Sequence, residues 1–205
     1  MKILYPIGWF LSRLTAEIIG GLKIYGRENV PKTGGFILAP NHISYYDPPF
    51  VGSCLSRPIY FFAKYELFKN RIFGFILRRV NALPVKRGAV DRQALKMAIE
   101  VIKQGSGLTM FPEGTRSKTD QFLEPKAGLG LIARHAECPI VPAYISNSNR
   151  LKSCIFRQNR VHISFGKPLS ANWVKSFEKN KEDYLAISNA VLDQIKKLRD
   201  NFSPN

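Results

Sequence analysis

Cysteine is scarce in this chain and unpaired in pattern: Cys54, Cys138 and Cys154 are scattered, with no C-x-x-C among them. A disulfide framework draws on an even, clustered set, so these thiols read as small buried apolar groups in a reducing, cytosol-facing compartment. Histidine is as sparse, and His42, His135 and His162 can hardly assemble a multi-His zinc site. Acidic residues are the third shortage: 15 Asp plus Glu face 31 Lys plus Arg, for a net charge of +16. Because 45% of the residues are hydrophobic, disorder does not account for that charge. The excess points to an anionic partner: nucleic acid, a membrane surface, a phosphorylated substrate or an acidic carrier protein. No apolar run reaches the roughly 20 residues that span a bilayer. There is no repeat and no low-complexity linker, and 205 residues make one domain that buries roughly 70% of its unfolded surface.

The N-terminal stretch resembles a signal peptide for about ten residues. Arg13 and Glu17 interrupt it, and no small-x-small cleavage site follows convincingly. Read as a helix, it puts Ile7, Phe10, Leu11, Leu14 and Ile18 on one stripe, with Trp9 near the edge. Such a helix either packs on the core or lies in a membrane interface, anchored by that stripe with Tyr5 and Trp9. Beyond it, strands are expected at Leu22 to Tyr25, Phe36 to Ala39, Ile59 to Ala63, Asn81 to Val85, Gly107 to Phe111 and Ile140 to Ile145, and around Val161, Ile163 and Phe165. Pro84 argues against a central ladder position for the fourth of these. Helices are expected from Pro48 to about Leu55, over Tyr65 to Arg79, after the N-cap Asp91, near Leu129 to Ala136, and through Tyr184, Ile187, Val191, Ile195 and Leu198. This alternation predicts a single α/β domain, a mixed β-sheet core covered by helices.

Two segments do not read as packing. Asn41-His-Ile-Ser-Tyr-Tyr-Asp47 follows a strand directly. On an ideal helix a five-residue separation is about 140° around the axis, so His42 and Asp47 would point apart. Pro40 breaks the strand, however, and Asp47 before Pro48 reads as a helix N-cap with proline at the first helical position. His42 then sits in a loop able to fold back on Asp47. A carboxylate on one ring nitrogen fixes the tautomer and leaves the other free to take a proton. In Phe111-Pro-Glu-Gly-Thr-Arg-Ser117, Gly114 permits close backbone approach to a ligand and Arg116 offers a planar fork suited to phosphate. The plainer alternative for this turn is an ion pair between Glu113 and Arg116.

Together the segments resemble the 1-acylglycerol-3-phosphate acyltransferases, a glycerolipid acyltransferase family: NHISYYD matches its N-H-x4-D motif and FPEGTRS its F-P-E-G-T-R-S motif. Asn81 to Gly88 is similar to the family's second block, which ends in an arginine, here Arg87. It departs from that block at Asn81 and Lys86. Ile140 to Ala143 resembles the fourth block and Phe165 to Pro168 the tail strand, so the likeness runs from Leu22 to Pro168. It implies an enzyme of phospholipid biosynthesis that moves a fatty acyl group from an acyl thioester (acyl-CoA or acyl carrier protein) to the hydroxyl of 1-acylglycerol 3-phosphate, giving phosphatidic acid. His42 would be the base and Asp47 its orienting carboxylate, as in a triad whose serine is replaced by the substrate's alcohol. That fits the lack of a G-x-S-x-G nucleophile elbow. Arg87 and Arg116, with Lys126, would clamp the acceptor phosphate. Glu113, Gly114 and Thr115 would shape its site, with Val141 and Pro142 lining or supporting it. The likeness implies no metal and no bound cofactor. With the apolar stripe read as a membrane anchor, residues 1–21 are expected as an interfacial helix and 22–205 as the acyltransferase domain, peripheral or monotopic on the cytoplasmic face of a membrane.

Other readings carry less. Gly128 to Ala133 fits the dinucleotide fingerprint G-x-G-x-x-A but follows Pro125-Lys126 rather than a strand. Ser44 lacks a strand-to-helix turn and makes a distant esterase nucleophile; His135 and His162 read as structural. A different acceptor (glycerol 3-phosphate or another lyso-lipid) stays open. So does a non-enzymatic basic module binding lipid or nucleic acid, supported by the acid-free stretch Ala143 to Phe177. That stretch carries no recognised nucleic-acid motif, and no nucleic-acid partner is expected.

Overall fold

The computed structural model describes residues 4–86, 91–119, 121–156 and 158–201. Seven strands form one mixed sheet: β1 (Lys23–Tyr25), β2 (Phe36–Pro40), β3 (Ile59–Lys64), β4 (Ala82–Val85), β5 (Gly107–Thr109), β6 (Ile140–Ser146) and β7 (His162–Phe165). Their order is β1-β7-β6-β2-β5-β3-β4. The run β6-β2-β5-β3-β4 is parallel throughout, whereas β7 is antiparallel to β6 and parallel to β1. Pro84 lies in β4, at the sheet's edge, where a missing N–H costs no ladder bond.

The helices are α1 (Leu4–Ile18), α2 (Asp47–Ser53), α3 (Arg71–Arg79), α4 (Arg92–Lys103), α5 (Gly128–Ala136), α6 (Leu151–Ile155), α7 (Ala171–Lys175) and α8 (Lys181–Asp200). Strand periodicity divides the core into two layers. Phe36 and Leu38 of β2 join α1, α2 and α6 on one face, while Ile37 and Ala39 join α4, α5, α7 and α8 on the other. As expected, Asp91 caps α4, accepting from the Ala94 N–H at 3.0 Å. Asn180 caps α8, which also carries Glu182 and Asp183 in its first turn and Lys197 and Arg199 in its last, each sign at the favourable dipole end.

One local expectation changes, and two other segments take a definite form. Tyr65 to Arg79 is not one helix: a 3-10 turn over Tyr65–Phe68 precedes α3, because Asn70 accepts from the Ile72 and Phe73 N–H groups and starts the helix afresh. The glycines of Gly128 to Ala133 lie inside α5, not in a phosphate-binding turn. A Cβ on Gly130 would stand 2.0 Å from the Tyr184 carbonyl oxygen, so that glycine lets α5 meet α8. In α1, the predicted stripe does not pack inward. Ile7, Phe10, Leu11, Leu14 and Ile18 are all exposed, Phe10 by 58% and Ile18 by 73%. Tyr5 and Trp9 instead line a groove against Pro48 and Pro49, and Tyr5 Oη accepts from the Ile59 N–H at 3.0 Å. The inward face is made of small residues every fourth position: Gly8, Ser12, Ala16 and, just past the helix, Gly20. No described helix is long and apolar enough to cross a membrane.

Candidate active site

Parallel β2, β5 and β6 bring three chain segments out at one edge of the sheet. The loop after β2 carries Asn41 to Tyr46, the loop after β5 carries Phe111 to Ser117, and Ser148 follows β6. Crevices at the carboxyl ends of strands are where α/β sheets place their ligands.

His42 and Asp47 meet there. His42 Nδ1 lies 2.8 Å from Asp47 Oδ2, with His42 mostly buried and Asp47 completely so. The same oxygen accepts from the Ile43 and Ser44 N–H groups at 2.7 Å each. The Ser148 hydroxyl donates to the other oxygen, Oδ1, at 2.5 Å. A carboxylate ringed by donors can only accept, so Nδ1 is the donor of this bond and Nε2 is the nitrogen left free of Asp47. The expected N-cap is corrected in detail. The helix begins at Asp47 itself, with Tyr46 in the cap position, and the Asp47 side chain turns back into the loop rather than forward along the helix. Turning back is what closes the five-residue spacing. Phe111 stacks on the imidazole, centroids 3.8 Å apart and planes 18° from parallel, so the ring is held on a face as well as at an edge.

Two further ties fix the loop. Asn41 Nδ2 donates to the Ile145 carbonyl at 3.0 Å, and its Oδ1 accepts from the Ile145 N–H at 2.8 Å, pinning the loop to β6. Glu113, 1% exposed, accepts from the His42 N–H at 3.1 Å and the Leu123 N–H at 3.0 Å. Burial pushes its carboxyl above the ordinary range, outweighing the Leu123 and His42 N–H groups that pull it down. The Glu113–Arg116 ion pair is not formed: both Glu113 oxygens go to main-chain N–H groups. The Arg116 guanidinium instead lies over the Tyr45 ring, 3.4 Å from its centroid.

Gly114 has φ +67°, a left-handed turn natural to glycine. The Lys126 side chain crosses it, Cδ 3.0 Å and Nζ 3.6 Å from where a Cβ would be. Thr115 is exposed beside it. Arg116 and Lys126 thus flank one tight turn. Val141 is buried in the core layer beside α2, so it supports the site from beneath. Arg87 lies outside the described residues. Ser44 Oγ accepts from the Tyr46 N–H at 3.2 Å, a loop-closing role. His135 Nε2 is 3.0 Å from Tyr184 Oη, an α5–α8 contact away from this edge. Sequence reasoning passed over Tyr45, Asn41 and Ser148. Asn41 lay inside the quoted motif, whereas Ser148 is 101 residues from its partner and carries no local signal.

A protein-family model described as Acyltransferase matches residues 21–146. The 1-acyl-sn-glycerol-3-phosphate acyltransferase of Bacillus subtilis (strain 168) is 32% identical over 187 residues, 91% of this chain and 92% of that protein. The enzyme of the same name from Streptococcus pneumoniae is 31% identical over 185 residues, 89% of this chain and 67% of its own. Among solved structures, the 1-acyl-sn-glycerophosphate acyltransferase PlsC from Thermotoga maritima superposes with a TM-score of 0.73 at 24% identity, over 98% of this chain and 82% of that one, a likeness of fold. With the family model matching well over half of the sequence and the His42–Asp47 pair assembled at the sheet edge, the chain belongs to the acyltransferase family.

Proposed function

We propose that this enzyme acylates 1-acylglycerol 3-phosphate from an acyl thioester, releasing phosphatidic acid and a free thiol. The carrying observation is the His42 Nδ1–Asp47 Oδ2 contact, which leaves Nε2 as a base on an edge shared with Arg116 and Lys126. Nε2 removes the proton of the acceptor hydroxyl as its oxygen attacks the thioester carbonyl. The tetrahedral intermediate collapses, the C–S bond breaks, and the imidazolium returns its proton to the departing thiolate. Asp47 holds the ring's orientation and balances its transient charge; no acyl-enzyme forms. Arg116 and Lys126, with Arg87, take the acceptor phosphate. The thioester itself is the activated group, and no cofactor takes part.

The apolar groove of about 180 Å³ between α1 and α2, bordered by Trp9, Pro48, Pro49 and Phe61, starts one residue from Asp47 and suits an acyl chain. The exposed stripe of α1 docks the protein on the cytoplasmic face of a bilayer, where the lyso-lipid resides. Supporting that side of the membrane, all three cysteines are free and buried.

The deciding experiment mixes purified protein with lysophosphatidic acid and acyl-CoA or acyl carrier protein, and follows thiol release. Wild type releases thiol only when acceptor is present, and His42→Ala does not. Thiol release by His42→Ala at the wild-type rate would overturn the mechanism. Release by wild type without acceptor would reassign the enzyme as a thioesterase.

A further inference from the structure

We infer that the β6–β7 connection, through Ile155 and Phe156, is a separate bilayer contact that fixes how the catalytic edge is turned toward an anionic membrane; this rests on the reading of α1 as a docking helix. A single amphipathic helix can roll about its own axis while its stripe stays immersed. Orientation needs a second contact displaced from that axis. The fold supplies candidates at both ends of α1. Its N-terminal end lies under β3, where Tyr5 receives the Ile59 N–H, and Gly8 faces Val80 just after α3. Its C-terminal end lies under β7, where the Gly20 carbonyl accepts from the Val161 N–H at 2.7 Å. α1 therefore crosses the sheet, with α3 beside one end and α6 beside the other.

Both neighbours expose apolar side chains. On α3, Ile72 is 72% exposed, and Phe73, Phe75 and Ile76 are exposed too. At α6, Leu151 and Cys154 turn to the core while Ile155 is exposed and Phe156 is 76% exposed. Ile155 shares the wall of one open groove of about 360 Å³ with Ile18, the last residue of the α1 stripe, so the two apolar exposures adjoin. A lone Phe at a loop tip would be unremarkable; its continuity with the stripe is what gives it meaning.

Charge selects the occupant. Lys23 and Arg160 line the same groove, and Lys152 is exposed on α6. The acid among them, Glu17, is taken by Arg13 at 2.5 Å. An apolar tip ringed by cations suits the interface of an anionic bilayer, with the side chains among the acyl carbons and the cations at the phosphates.

The loop is also braced from within by hydrogen bonds. The Gln158 N–H donates to the Ser153 carbonyl at 3.0 Å, Asn159 Nδ2 to Ser153 Oγ at 3.0 Å, and Asn147 Nδ2 to the Arg160 carbonyl at 2.8 Å. Substituting the two exposed apolar residues leaves those bonds in place.

The test uses the full chain with an environment-sensitive fluorophore on Phe156→Cys, and separately on Phe10→Cys as the α1 reporter. The native thiols are buried, and burial pushes those of Cys54 and Cys138 up to about 12; Cys154, which borders the groove, is replaced by Ala in both labelled proteins so that only the introduced cysteine reacts. Vesicles of phosphatidylcholine with phosphatidylglycerol are added, with phosphatidylcholine alone as the comparison. Both probes are expected to shift to the blue on anionic vesicles and much less on neutral ones. Ile155→Ser/Phe156→Ser should weaken vesicle partitioning roughly tenfold with an unchanged melting curve. A responding probe at 10 with a silent one at 156 overturns this contact and keeps the α1 reading. Silence at both positions overturns both, and an equal response on neutral vesicles overturns the anionic partner.

Discussion

Ser148→Ala removes a single oxygen from the most enclosed part of the site. Ser148 and Asp47 are both fully buried, and the 2.5 Å separation from Oδ1 falls in the short range of O–H···O⁻ bonds. Hydrogen bonds to charged groups contribute about 1.5–3 kcal/mol, and here the loss leaves a buried carboxylate oxygen without its donor. A stability loss of about 2 kcal/mol follows, which for a domain of this size lowers Tm by about 4–8 °C. Catalysis should suffer too, because Oδ2 alone would then fix the carboxylate plane. If about 1.4 kcal/mol of the loss is felt in the transition state, kcat falls roughly tenfold with both KM values unchanged. A double-mutant cycle with Asp47→Asn isolates the pair: on that background Ser148→Ala should cost much less in both Tm and kcat. Strict additivity of the two substitutions would refute the coupling. So would a fall in Tm with kcat untouched, since Ser148 would then be packing and nothing more.

Arg116→Ala should raise KM for lysophosphatidic acid by more than tenfold while the donor's KM moves little, measured by thiol release over a matrix of both substrates; an equal effect on each removes Arg116 from the phosphate. Glu113→Gln replaces one acceptor by a donor facing a buried N–H, which costs about 1–3 kcal/mol in denaturant unfolding. The sign with pH also follows. The folded-state carboxyl of Glu113 is raised, so its contribution is complete below the ordinary value of 4.5 and is lost as pH rises through the folded value. The wild-type advantage over Glu113→Gln should therefore shrink as pH climbs above 4.5, and a widening gap would contradict the assigned burial. Gly130→Ala forces a Cβ to 2.0 Å from the Tyr184 carbonyl and should destabilise by about 1–3 kcal/mol through separation of α5 and α8, seen as a lower midpoint in urea.

Much of the sheet was legible because each buried strand announces itself in a few apolar residues between Gly, Pro and polar breaks. Phe36 to Ala39 and Ile140 to Ile145 are examples, with edges shifted by a residue. The short α6 and α7 were not, since five residues give less than two turns of periodicity to read. The apolar stripe of α1 left its direction open between the core and a membrane interface. An apolar stripe ordinarily marks the buried face, yet here close packing is carried by Gly8, Ser12, Ala16 and Gly20, whose spacing of four was visible and overlooked. At the site, His42, Asp47, Glu113 and Arg116 stood out because they lie in two short motifs that together resemble one family's, and the structure brings those motifs to one edge of the sheet. What could not be found were the long-range bonds that steady them. The Asn41–Ile145 pair and the Ser148–Asp47 bond join residues more than a hundred positions apart. The Arg116–Tyr45 stack likewise depends on β2 and β5 being neighbours, which no local pattern states.

Glu113 holds two loops by their main chains: its carboxylate receives one N–H from the residue that carries the imidazole and one from Leu123, beyond the cation-bearing turn. Because both donors are backbone groups, a side-chain exchange at position 42 or 123 leaves the two bonds available, whereas a change at position 113 unties both loops at once. The glutamate is thus a gauge, setting the separation of the two motif-bearing loops from a buried point between them.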